Sequence, residues 1–156
     1  MATKNSPIET PERTLKDQIE IRIPSDPRFL KIIRMTVSHL CELLGFSVEE
    51  QKSTVLAVDE ACTNIIKHAY KGDPEQVIKI TFKLLPDGLK VLLRDYGRKA
   101  DLKQMKSRKL SDVRPGGIGI HLIKSVMDVV KYDNTLEQGN ELTLIKYLRQ
   151  KKEEAC

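Results

Sequence analysis

The period of the apolar residues changes between about positions 70 and 78, and that change limits the folds open to this chain. Upstream, Leu30, Ile33, Val37, Leu40 and Leu44 recur at the spacing of one helix face, and Gly45 ends the run. Ser25 reads as the cap of that helix, with Pro27 in its first turn. Ser47-Val-Glu-Glu50 has the Ser and Glu of a capping box and starts a second helix that runs to about Tyr70. Downstream, Ile78, Ile80, Phe82 and Leu84 alternate with polar residues, Pro86-Asp-Gly88 turns the chain, and residues 89–96 return as a second strand. A further strand precedes the helices, with Ile19, Ile21 and Ile23 on one face and Pro24 closing it. After a long loop over residues 98–115, a helix runs to about Asp128, and strands at 129–133 and 141–148 follow. Strands that follow one another directly argue against a doubly wound parallel sheet. They predict an α+β two-layer sandwich, a mixed and mostly antiparallel sheet with helices on one face.

At 156 residues there is room for one folded unit, expected over residues 17–148 between a flexible tail (1–16) and a charged tail (149–156). Aromatic residues are 4% of the chain and Trp is absent, so the core must rest on Ile, Leu and Val. No apolar run approaches the roughly 18 residues of a membrane span, and the polar N-terminus lacks the apolar centre of a secretory signal. A cytoplasmic protein without a membrane partner is expected. Cys41, Cys62 and Cys156 have no metal-ligand spacing, and the first two fall in apolar helical patterns as small buried residues. The net charge of +5 suits an anionic ligand or an acidic partner. Direct nucleic-acid binding is not expected, since no helix-turn-helix, zinc finger or aromatic-basic surface is legible.

Three short segments carry chemistry. On the second helix, Glu60, Asn64 and His68 recur every four residues and share a face, with Ala57, Ala61, Ile65 and Ala69 one position round. A carboxylate and a carboxamide one turn apart suit a metal–nucleotide site, although on a solvated helix they need no special role. In Leu92-Leu-Arg-Asp-Tyr-Gly97 an apolar strand ends in Asp95, which can accept a hydrogen bond from an exocyclic amine, and Gly97 would let a flat ring approach the backbone. Taken alone, that segment is explained better by a plain turn after a strand. In Pro115-Gly-Gly-Ile-Gly119, three glycines open a helix, so bare N–H groups and the helix N-terminus can receive a phosphate, or the segment is a hinge.

In order and spacing the three segments resemble the N, G1 and G2 boxes of the GHKL ATPases, the superfamily of gyrase and the histidine kinases. The stretches DEACTNIIKHAYKGD, RDYGRKAD and RPGGIGIHLIKSVMDVVKY are most similar to the bacterial anti-sigma-factor serine kinases. The resemblance implies the Bergerat ATP-binding fold, ATP and Mg²⁺ as cofactors, Asn64 on the metal and Glu60 as general base. It assigns Asp95 to the adenine amine, Gly97 to the ring, and Gly116, Gly117, Ile118 and Gly119 to the phosphates. The loop before them, rich in Lys and Arg, takes the place of the family's ATP lid, with Arg114 nearest the phosphates. Near the last strand, Gly139-Asn140 stands where many relatives have Gly-Thr.

The implied function is phosphorylation of a serine on an anti-anti-sigma partner, together with sequestration of a sigma factor, by a homodimer. A nucleotide-gated binding module that transfers little or no phosphate is the alternative. The intact Glu60 argues against it, since a pure binder needs no base.

Overall fold

The computed structural model describes residues 17–103 and 118–149. Strand β1 (Gln18–Pro24) leads through a short 3₁₀ turn (Pro27–Phe29) into α1 (Leu30–Leu44). Helix α2 (Val48–Asn64) continues into a π-helical turn (Ile65–Ala69). Strands β2 (Val77–Leu85) and β3 (Gly88–Asp95) form a hairpin. Helix α3 (Ile118–Val126), β4 (Val129–Asp133) and β5 (Asn140–Tyr147) complete the described chain. The sheet order is β1-β2-β3-β5-β4, and every described pairing is antiparallel. The α+β sandwich is as expected, and the sheet is antiparallel throughout its described pairs.

Register explains which face the helices cover. Ile23 lies opposite Ile78, Ile80 opposite Leu93, and Leu93 opposite Leu142, so one face of four strands is apolar. Those residues join Ile33, Val37, Leu40, Ala57, Val58, Ala61 and Ile123 from the helices in one buried core. The other face carries Lys79, Lys83, Lys90 and Arg94. Each β2 and β3 side chain thus reaches either the core or the open face, as the alternation in the sequence requires.

The helix ends show local chemistry at work. Gly45 adopts a left-handed conformation (φ 84°) and caps α1 through its N–H to Cys41 and Glu42. Ser47 and Glu50 form the expected reciprocal capping box at α2. The cap at the start of the first helical segment is Asp26, not Ser25: Asp26 Oδ1 accepts from Arg28 N at 2.9 Å. Ser25 instead follows the path of β1, its N–H bonded to Gln76 O at 2.7 Å and its hydroxyl buried without a partner among the described residues. A carboxylate one residue on outcompetes it, because it also binds the Arg28 guanidinium. Cys41 and Cys62 are buried as expected, and burial pushes their thiols up to about 11 and about 12. Among the described residues no helix is long and apolar enough to cross a membrane.

Candidate active site

Helix α2 builds one wall of a cleft at the end of the sheet where Asp95 lies. Ala57, Ala61 and Ile65 are buried toward the sheet, which turns the neighbouring stripe of Glu60, Asn64 and His68 toward the opening. The last turn of this helix is π rather than α, with Tyr70 N bonded to Ile65 O at 3.0 Å. Asn64 and His68 line the cleft, whereas Glu60 lies one turn back and outside its walls. The widened turn leaves the Ala69 carbonyl to accept from Arg98 N at 2.8 Å, joining the helix end to the chain beyond β3.

Asp95 closes β3 and is 3% exposed. Its Oδ1 accepts from Gly97 N and from Asn140 Nδ2, both at 3.0 Å. Burial raises its carboxyl above the ordinary range, opposed by those donors and by the Arg94 guanidinium. Tyr70 braces the same corner: its hydroxyl accepts from Tyr96 N at 2.8 Å and donates to Val77 O at 2.6 Å. Burial, then the negative charge of Asp95, pushes Tyr132 up to about 12, so its phenol stays protonated at neutral pH.

Gly119, in the first turn of α3, brings the third segment to the first. A Cβ there would stand 2.6 Å from Glu60 Oε2, so a side chain at 119 would push that carboxylate aside, while Asn64 Nδ2 at 3.6 Å is in ordinary contact distance. At Gly97 the close approach is to protein backbone, since a Cβ would stand 2.3 Å from Ala69 O. Glu60, Asn64 and Gly119 thus converge beside the cleft, which Asn64 and Asp95 both line. Arg114, Gly116 and Gly117 lie outside the described residues, as does the side chain of Ile118.

The cleft has a volume of roughly 320 Å³, and Ala61, Ile65, Ile120, Leu142 and Tyr132 supply its apolar walls. That is the composition of a site for a flat, mostly apolar ring with a few fixed polar contacts. Asn64 Nδ2 is buried and has no hydrogen-bond partner among the described residues. An amide head without a partner is free to turn its oxygen to a cation. Among the described residues no group of three His, Cys, Asp or Glu side chains could hold a metal by itself. The donor set therefore fits Mg²⁺ only as a nucleotide complex, with phosphate and water oxygens supplementing Asn64.

Tyr70, Tyr132 and Asn140 belong to this site and were not among the residues assigned to it from sequence. Tyr132 had a legible signal, since alternation in the fourth strand puts it on the face of Leu142. Tyr70 had none, because its position depends on the π turn. Asn140 was visible only as a departure from Gly-Thr.

An antiparallel sheet with helices on one face, a helix bearing Glu60 and Asn64, and an Asp at a strand end fit the class of nucleotide-binding domains. The chain belongs to the histidine kinase-like ATPase domain family, whose model matches residues 23–146. It is similar to the serine-protein kinase RsbW of Bacillus subtilis, 33% identical over 140 residues, covering 85% of this chain and 86% of that protein. Serine-protein kinase RsbW of Staphylococcus epidermidis is 32% identical over 146 residues (88% and 91% of the two chains), and that of Listeria innocua is 32% identical over 151 residues (90% and 94%). The resemblance to the GHKL ATPases and, within them, to the anti-sigma-factor serine kinases is thereby borne out.

Proposed function

We propose that the chain is an ATP-dependent protein-serine kinase and anti-sigma factor. The observation that carries this reading is the meeting of Gly119 with Glu60 and Asn64 beside a cleft that Asn64 and Asp95 both line. It is joined by relatives named as serine-protein kinases over most of the chain. Asp95 accepts the exocyclic amine of adenine, and Ala61, Ile65, Leu142 and Tyr132 enclose the ring. Asn64 turns its amide oxygen to Mg²⁺, which when bound neutralises triphosphate charge. Glu60 takes the proton of the incoming serine hydroxyl as the oxygen attacks the γ-phosphorus, and ADP leaves. On the strength of the resemblance, Arg114, Gly116, Gly117 and Ile118 serve the phosphates beside Gly119. The protein acts in the cytoplasm as a homodimer over residues 17–148, with a sigma factor and an anti-anti-sigma protein as partners.

The test is the intact mass of an anti-anti-sigma partner after incubation with Mg-ATP. Addition of one phosphoryl group, stable to acid as a serine ester is, is the expected result. A stable complex with no change of mass would replace the kinase with the nucleotide-gated binding module.

A further inference from the structure

Asn140 opens β5 directly across from Asp95 and is 5% exposed. Its side-chain amide is fully engaged on protein. Nδ2 donates to Asp95 Oδ1 at 3.0 Å, with Oδ2 at 3.3 Å, and its second proton goes to Arg98 O at 2.9 Å. Oδ1 accepts from Ala100 N at 2.7 Å. One side chain thus touches the acidic group of the cleft and the backbone of the segment that leaves it.

Asp95 is oriented by these bonds. Its Oδ1 receives Gly97 N and Asn140 Nδ2 at 3.0 Å, while among the described residues the contact of Oδ2 to Asn140 Nδ2 is the longer one, which leaves Oδ2 the freer oxygen to accept from a ligand. The backbone beneath is held from the open face of the sheet. Arg94 donates to Asp95 O, to Asn140 O at 3.1 Å and to Gln138 O at 2.7 Å, and its guanidinium lies 4.4 Å over the Tyr96 ring. Gly139, at φ 72°, has no room for a side chain, since a Cβ would stand 2.1 Å from Asp95 O. The pairing of Asp95 with Asn140 therefore cannot slip. Residues 98–100 are tied by further bonds, from Asn134 Nδ2 to Ala100 O at 3.2 Å and from Lys99 Nζ to Leu136 O.

We propose that Asn140 is the positioning residue of the base-recognition end of the site. It selects which oxygen of Asp95 faces the base and ties that carboxylate to the backbone of residues 98–100. This rests on the nucleotide-site reading above. A threonine at this position, as in the Gly-Thr pattern, has one hydroxyl proton and cannot donate to Asp95 and Arg98 O together. The carboxamide, with two protons and an acceptor, serves all three partners at once.

The test uses the full chain with Asn140→Ala, Asn140→Thr and, as a control on the site itself, Asp95→Asn. ATP and ITP, which carries an oxo group in place of the adenine amine, are titrated in the presence of Mg²⁺, and hydrogen exchange of the Ala100 amide is followed without nucleotide. In Asn140→Ala the ATP-over-ITP preference should fall by about tenfold, as expected for losing one oriented hydrogen bond. The Ala100 amide should exchange about tenfold faster or more, having lost its acceptor. Asn140→Thr, the variant safer for folding, should keep the preference within about threefold, because its hydroxyl still reaches for Asp95, yet lose protection at Ala100. Equal weakening of ATP and ITP in Asn140→Ala, or unchanged exchange at Ala100 in both variants, would overturn the proposal. If instead Asp95→Asn binds ATP like the wild type, the nucleotide reading itself has failed and this inference with it.

Discussion

Asp95 is in conflict between stability and binding, and its chemistry gives the sharpest prediction at the scale of a residue. Its folded carboxyl holds a proton to higher pH than in the unfolded chain, because burial disfavours the charge. Its contribution to stability is therefore complete below the unfolded value and is lost as pH rises through the raised folded value. At neutral pH the ionised group is a net cost to the ligand-free fold. Asp95→Asn should raise the melting temperature of the nucleotide-free protein at pH 7 by about 1–3 °C, while ATP affinity falls at least about tenfold. The gain in melting temperature should vanish as pH is lowered toward the ordinary carboxylate range, which thermal melts across pH would follow. A lower melting temperature at neutral pH would refute the burial argument.

Glu60 offers a separable test at the same scale. Glu60→Ala should leave Mg-ATP binding within about threefold and cut phosphotransfer by roughly 10²–10⁴-fold, the range for loss of a positioned general base. Single-turnover transfer beside calorimetry would check both halves. Gly119→Ala should likewise cut phosphotransfer, because the added methyl would occupy the space of Glu60 Oε2 and displace the carboxylate.

At the scale of elements, the end of α2 joins the helix to the base-binding corner. Tyr70 O–H spans Val77 O and Tyr96 N, so Tyr70→Phe removes both bonds and leaves the part-buried Tyr96 N–H without its acceptor. A loss of about 1–3 kcal/mol in urea unfolding, with weaker ATP binding, is expected. Ser47→Ala, which removes half of the capping box at the far end of the same helix, should cost about 1 kcal/mol and leave ATP affinity unchanged. The contrast separates an element's stability from its aim. The capping box, the left-handed Gly45 and the β2–β3 hairpin were legible because each depends on residues adjacent in sequence. The π turn was not: it follows from tertiary bonds to Val77, Tyr96 and Arg98, which local periodicity does not encode. Ser25 was misread as a helix cap for a local reason instead, since Asp26 beside it binds both the backbone N–H and the guanidinium of Arg28.

For the molecule as a whole, the change of apolar period was enough to predict two layers, and the register of β2, β3 and β5 then dictates which residues meet at the end of the sheet. Glu60, Asn64, Asp95 and Gly119 were recognisable because three separated patterns coincided; any one alone had an ordinary explanation. Tyr132 and Asn140 escaped assignment because a side chain's use at a sheet end depends on the strand beside it, here β5 against β3 and β4. The measurement that tests the central claim most directly is calorimetric titration of ATP with and without Mg²⁺ into wild-type protein, Asn64→Ala and Asp95→Asn. The cleft between α2 and the Asp95 end of the sheet predicts binding that Mg²⁺ strengthens. Asn64→Ala should abolish that strengthening, and Asp95→Asn should weaken binding with or without the metal. ATP binding that neither substitution alters, or none by the wild type, would contradict it.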